Sequence, residues 1–89
     1  MAILIDPPRP EAHGRRWSHL VSDTSYDELH AFAALLGVPR RAFQGDHYDI
    51  PASLREPALA LGAQAVPARE LLSRLKAAGL RRPKHLPGS

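Results

Sequence analysis

The prolines near the start of the chain constrain its fold more than any other feature. The apolar run Ala2-Ile3-Leu4-Ile5 stops at Asp6 and meets Pro7-Pro8, with Pro10 close behind. Proline lacks a backbone N–H, so a central strand ends at such a break. The run therefore reads as a short buried strand. Residues 7–16 hold three prolines, a glycine and three arginines and are predicted to form a loop. His19-Leu20-Val21-Ser22 reads as a second strand, entered through Trp17 and ending at Asp23. The intervening loop is near the lower limit of about a dozen residues for a parallel crossover. The two strands can pair either way, and the choice decides what Asp6 meets. In a parallel pair Asp6 converges with Asp23; in an antiparallel pair it lies near Trp17 and His19.

The rest of the chain alternates helical and extended patterns. Ser25 with Glu28 forms a capping box at the start of a helix. In it Leu29, Phe32, Ala33 and Leu36 make one apolar stripe, and Gly37 fits the position just past the end. Ala42-Phe43-Gln44 is a candidate short strand, followed by a Gly45-Asp46 turn. Ser53 and Glu56 suggest a second capping box, with Leu54, Ala58 and Leu61 facing inward and Gly62 closing that helix. Ala63-Gln64-Ala65-Val66 reads as a strand. Pro67 opens a last helix whose Leu71, Leu72, Leu75 and Ala78 face the core and which Gly79 ends. This pattern predicts a small single-domain α/β fold, a mostly parallel sheet of three to four short strands flanked by about three helices. The domain is expected over 1–80, with 81–89 a disordered basic C-terminal tail.

Size and composition narrow the function classes. A chain of 89 residues makes one domain. A deep active site in so small a body calls for a partner subunit, so a homo-oligomer is an expectation. There is no cysteine, which excludes a disulfide framework and thiolate metal sites. A divalent metal cofactor, Mg, Mn or Zn, would have to use His, Asp or Glu. Neither a signal peptide nor an apolar run of membrane-spanning length is present, so a soluble cytoplasmic protein with no membrane partner is expected. The formal net charge is +3, but Arg81, Arg82 and Lys84 lie past the last helix. Taking these three from twelve basic residues leaves nine against nine acidic ones. The body is then formally neutral, which weakens the case for a broad basic face.

The candidate chemistry lies in Phe43-Gln44-Gly45-Asp46-His47-Tyr48-Asp49, a segment too polar to be core. His47 and Asp49 are two apart, so in extended chain both point to one face while Tyr48 points to the other. A His–carboxylate pair orients an imidazole for base work or shares a metal. His19, inside an apolar strand, is either a structural histidine bonded to backbone or a ligand or base. Asp6 and Asp23 each follow a strand and either cap the next turn or bind a cation. His30 lies one helical turn from Asp27, where a surface pair accounts for it. Candidate catalytic residues are thus His47, Asp49 and His19, and candidate metal ligands are His19, Asp23, His47, Asp49 and Asp6. Arg15 and Arg41, each within an Arg–Arg doublet, are candidate phosphate-binding residues, since the guanidinium suits bidentate phosphate recognition. No Gly-rich phosphate loop, helical His-Glu-x-x-His or serine nucleophile elbow occurs.

Several strings resemble one family of small bacterial and phage proteins. They are Ile5-Asp6, Gly14-Arg15-x-Trp17-x-His19-Leu20-x-x-Asp23 and Glu28-Leu29-His30-Ala31-Phe32-Ala33. Further on come Gly37-Val38-x-Arg40-Arg41-x-Phe43-Gln44, His47-Tyr48-Asp49-Ile50 and Ala60-Leu61-Gly62-Ala63. The family resembled is domain of unknown function 4031, over about residues 3–79. Pro57 departs from the helix expected there. The resemblance implies no activity. The residues themselves suggest a small metal-dependent hydrolase acting on a phosphoester, with a nucleotide or nucleic acid as partner. The other reading is a non-enzymatic nucleotide- or nucleic-acid-binding or adaptor module, in which the His/Asp cluster is a structural hydrogen-bond network.

Overall fold

The Pro7-Pro8 break makes a bulge in a strand that continues beyond it. A computed structural model describes residues 2–10 and 14–82. In it β1 (Ile3–Ile5) lies antiparallel to β3 (Arg16–Ser22), with Ile5 opposite Leu20. A second short strand, β2 (Arg9–Pro10), pairs with the beginning of the same β3, Arg9 opposite Trp17. Between these registers residues 6–8 face residues 18–19, so the first chain carries one extra residue. That is a β-bulge. β1 and β2 are two halves of one strand, and the segment expected to be all loop contains the second half. The extra residue also shifts the side-chain alternation by one, which brings Arg9 onto the face of Trp17.

On the other flank of β3 lies β4 (Tyr48–Pro51), antiparallel, with Leu20 opposite Tyr48 and His19 opposite Asp49. Among the described strands it pairs with β3, and a proline is tolerated at the end of such an edge strand. The remaining strand, β5 (Gln64–Ala65), runs parallel to β1. Across the sheet the order is β4, β3, the broken β1/β2 strand and β5. The sheet is therefore mixed and mostly antiparallel, which corrects the expectation of a mostly parallel one. The physical reason is the bulged first strand, which turns back onto itself through β3; only β5 is reached by a crossover. The expected strand at Ala42–Gln44 is instead the end of a single 3₁₀ turn (Arg40–Ala42), and Phe43 makes one isolated bridge with Tyr48.

Three helices cover the two faces. α1 (Tyr26–Leu36) begins where Ser25 accepts the Glu28 N–H and ends at Gly37, whose φ of 85° suits the left-handed position. The Glu28 carboxylate does not return to the Ser25 N–H, as a capping box would have it. Ser22 Oγ accepts that N–H and donates its own hydrogen to Glu28. α2 (Arg55–Ala60) follows a 3₁₀ turn (Ala52–Leu54) and has no side-chain cap, so the expected Ser53 box does not form. Pro57 sits in the first turn, where no intrahelical partner for its missing N–H is needed. Leu61, expected inward, is 47% exposed. α3 (Ala68–Ala77) starts after Pro67 and buries Leu71 and Leu75.

Strand alternation sorts the core. Ile3, Ile5, Leu20, Tyr48 and Ile50 pack with Leu29, Phe32 and Ala33 of α1 and with Ala58 of α2. On the other face Leu4 and Val21 pack with Leu71 and Leu75 of α3. Each fully buried Leu or Ile contributes about 1.5–3 kcal/mol. α3 covers only part of its face; the end carrying Trp17, His19 and Asp49 borders an open cavity. The chain then leaves α3 through Leu80, whose carbonyl accepts the Tyr26 hydroxyl hydrogen, and reaches that cavity with Arg81 and Arg82. These two residues, assigned from sequence to a disordered tail, are bound to the domain; 83–89 lie outside the described residues. No described helix is long and apolar enough to cross a membrane.

Candidate metal centre

Two imidazoles on this face are each backed by a buried carboxylate. At the bulge Asp6 donates its backbone N–H to the His19 carbonyl, but the reciprocal bond is made by its side chain. Asp6 Oδ1 accepts the His19 N–H at 2.6 Å, and Oδ2 accepts from His19 Nδ1 at 2.7 Å. The displaced Asp6 carbonyl takes a hydrogen bond from Arg55 Nε. Asp6 is 0% exposed. The same arrangement recurs on the next strand's approach. Asp46, 1% exposed, accepts from His47 Nδ1 at 2.7 Å through Oδ1. Its Oδ2 accepts from Arg81 Nη1 at 2.9 Å and from the Arg82 N–H at 2.8 Å. An ionised carboxylate only accepts, so both histidines carry their hydrogen on Nδ1 and turn Nε2 the other way.

Both Nε2 atoms turn toward Asp49. Its Oδ1 lies 3.2 Å from His47 Nε2 and 3.8 Å from His19 Nε2. The two rings meet edge to face with centroids 5.1 Å apart. The three ligand atoms all fall within 4.8 Å of one another. In a tetrahedral zinc site with bonds of about 2.0–2.1 Å, donor atoms sit about 3.3 Å apart, so side-chain shifts of an ångström or so close this triad on an ion. Two imidazoles and one carboxylate suit zinc or ferrous iron better than magnesium, which prefers oxygen donors. Three protein ligands leave coordination positions open, the feature of catalytic rather than structural sites.

The charges follow the same geometry. Burial opposes a proton on His47, but its hydrogen bonds to Asp49 and Asp46 outweigh burial and raise its pKa above 6.5. Burial would raise the pKa of Asp46, yet the donors from His47, Arg82 and Arg81 hold it below 3.8. A cavity of about 930 Å³ opens over the triad. Arg9, Arg81, Arg82 and Gln44 line it beside the polar groups, and Trp17, Leu71, Leu72 and Leu75 supply an apolar wall.

The family model described as a protein of unknown function, DUF4031, matches residues 3–78. The chain belongs to the DUF4031 family. The matched span includes both imidazoles, all three carboxylates and Arg9, whereas Arg81 and Arg82 follow it. No curated protein and no solved structure matches the chain.

In this DUF4031 protein His19, His47, Asp49 and Asp6 come together, with Asp6 behind His19 and not beside the other donors. Asp23 does not join them. Because β1 and β3 are antiparallel, Asp23 lies at the opposite end of the sheet, where it accepts from the Ala2 N–H and from Arg74. It is removed from the candidate ligands. Arg15 and Arg41 are exposed and do not line the cavity. His30 bonds the Tyr48 hydroxyl at 2.8 Å and stacks edge-on against Phe43, not on Asp27. Burial, then the nearby Arg40, lowers its pKa below 6.5. Burial raises that of Tyr48. The sequence reading included Asp46 in the chemistry-bearing segment but gave it no site role of its own, and it missed Arg9, Arg81 and Arg82. The Asp46-His47 adjacency was the available signal for the first. Nothing local marks the other three.

Proposed function

We propose that this DUF4031 protein is a small metal-dependent hydrolase acting on a phosphoester. One observation carries the reading: two imidazoles, each oriented by a buried carboxylate on Nδ1, present Nε2 to a third carboxylate at the floor of an open cavity. Metal-binding histidines almost always donate their other ring hydrogen to such a partner. A divalent ion at these donors, when bound, supplies a water of lowered pKa and a Lewis acid for a phosphoryl oxygen. Asp6 and Asp46 fix the ring orientations, so the donors need little reorganisation. Arg9 and Arg81, on the cavity rim, offer guanidinium donors to a phosphate. Hydrolysis adds the water oxygen to phosphorus, breaks the ester P–O bond and returns a proton to the leaving alcohol.

The second reading is a non-enzymatic nucleotide- or nucleic-acid-binding or adaptor module. It is supported by the saturation of both buried carboxylates with structural donors, since Asp6 also holds the His19 N–H and Asp46 also holds Arg81 and the Arg82 N–H. In that case the cluster is a network that fixes the fold. Calorimetric titration with zinc, manganese, ferrous iron and magnesium separates the two. The hydrolase reading expects one zinc or ferrous ion bound at micromolar concentration or below, lost in His19→Ala and His47→Ala, and metal-dependent cleavage of a chromogenic phosphoester. Absence of binding heat with every ion would remove it.

A further inference from the structure

The cavity over the triad has a shape and a placement of donors that select among phosphoesters; the inference rests on the hydrolase reading. Among the described residues its lining includes three carboxyl side chains, Asp6, Asp46 and Asp49, and three guanidinium side chains, Arg9, Arg81 and Arg82. A terminal phosphomonoester presents three free oxygens to share between an ion at the triad and a guanidinium; a phosphodiester presents two.

The three guanidiniums are not equivalent. Arg81 is held by Asp46, and Arg82 lies 4.3 Å above the Tyr26 ring. The Arg9 guanidinium has no hydrogen-bond or ion-pair partner among the described residues. The bulge places it opposite Trp17, two residues along β3 from His19 and on the same face. Residues two apart along a strand are separated by about 6.5–7 Å, within reach of an arginine side chain. Arg9 can therefore hold the far side of a phosphate bound at the triad.

The rest of the wall is apolar. Trp17 of β3 and Leu72 of α3, both half-buried, line the same cavity. Such surfaces take a flat ring by stacking and contact. The cavity of about 930 Å³ has the size of a small-molecule site. Among the described residues three cations line the cavity, fewer than the row of phosphate contacts that a polymer uses.

We propose that the site takes a phosphomonoester joined to a flat ring, the chemical class of a nucleoside monophosphate, with its phosphate on Arg9 and its ring against Trp17 and Leu72. The test titrates the zinc-loaded full chain with adenosine monophosphate, ribose 5-phosphate and a dinucleoside monophosphate, followed by calorimetry and by the fluorescence of the single tryptophan. The mononucleotide is expected to bind at least tenfold more tightly than either competitor and to quench Trp17. Arg9→Ala is expected to weaken it tenfold or more with zinc affinity unchanged. Trp17→Leu, read by calorimetry, is expected to remove the advantage over ribose 5-phosphate. Zinc binding with equal affinity for all three compounds, or with the diester tightest, overturns the inference alone. A chain that binds no metal overturns the hydrolase reading beneath it.

Discussion

Asp6 holds His19 twice, once at the backbone N–H and once at ring Nδ1, with one carboxylate. The bulge makes this double grip available, because an in-register strand would spend the Asp6 carbonyl on that N–H. Asp6→Asn keeps an acceptor for the N–H but removes the charge that makes His19 a better ligand. Metal affinity is expected to fall about 10–100-fold. Asp6→Ala additionally leaves a buried N–H unpaired and is expected to cost about 1–3 kcal/mol in urea unfolding. Unchanged zinc affinity in Asp6→Asn would remove Asp6 from the site.

The Arg81–Asp46 pair predicts that the segment after α3 is part of the site. A chain truncated after Leu80 leaves Asp46 buried without the Arg81 guanidinium and the Arg82 N–H. A buried carboxylate stripped of two of its three donors is costly, so a loss of roughly 1–3 kcal/mol is expected. Because Asp46 also orients His47, zinc affinity is expected to drop with it. Identical melting and titration curves for the truncated and full chains would exclude such a role.

How much of this was legible follows from which contacts are local. The caps of α1 and the opposed facing of Tyr48 against His47 and Asp49 depend on neighbouring residues, and the sequence pattern carried them. The pairing sense of β1 and β3 depends on residues far apart. The proline break allowed either choice, and with it Asp23 was wrongly grouped with Asp6. The one-residue bulge is harder still. It moves Arg9 to the other face, and nothing in Asp6-Pro7-Pro8-Arg9 tells a bulge from a loop. Arg81 looked like tail because its partner, Asp46, lies 35 positions earlier in the chain.

Ser18 offers a test of the core. It is 0% exposed, and its Oγ has no hydrogen-bond partner among the described residues. A buried hydroxyl without a partner is destabilising, while a methyl group fits the same space. Ser18→Ala is expected to leave stability unchanged or raise it by up to about 1 kcal/mol in urea unfolding. A loss above that value would mean that the hydroxyl has a partner.

Asp23, away from the cavity, gives a pH dependence with a definite sign. Burial would raise its pKa, but the Ala2 N–H, Arg74 and Thr24 hold it below the ordinary 3.8. A carboxyl whose folded pKa lies below its unfolded value stabilises the fold above the unfolded value. That contribution is lost as pH falls through the folded pKa, so it fades from about pH 4 downward. Asp23→Asn is therefore expected to be less stable than the native chain at pH 7 and to show a shallower fall in stability below pH 4. The two proteins should converge at the acid end. Thermal unfolding of both between pH 7 and pH 2.5 checks this. Parallel curves over the whole range would mean that the Arg74 contact at the far end of the sheet does not depend on the Asp23 charge.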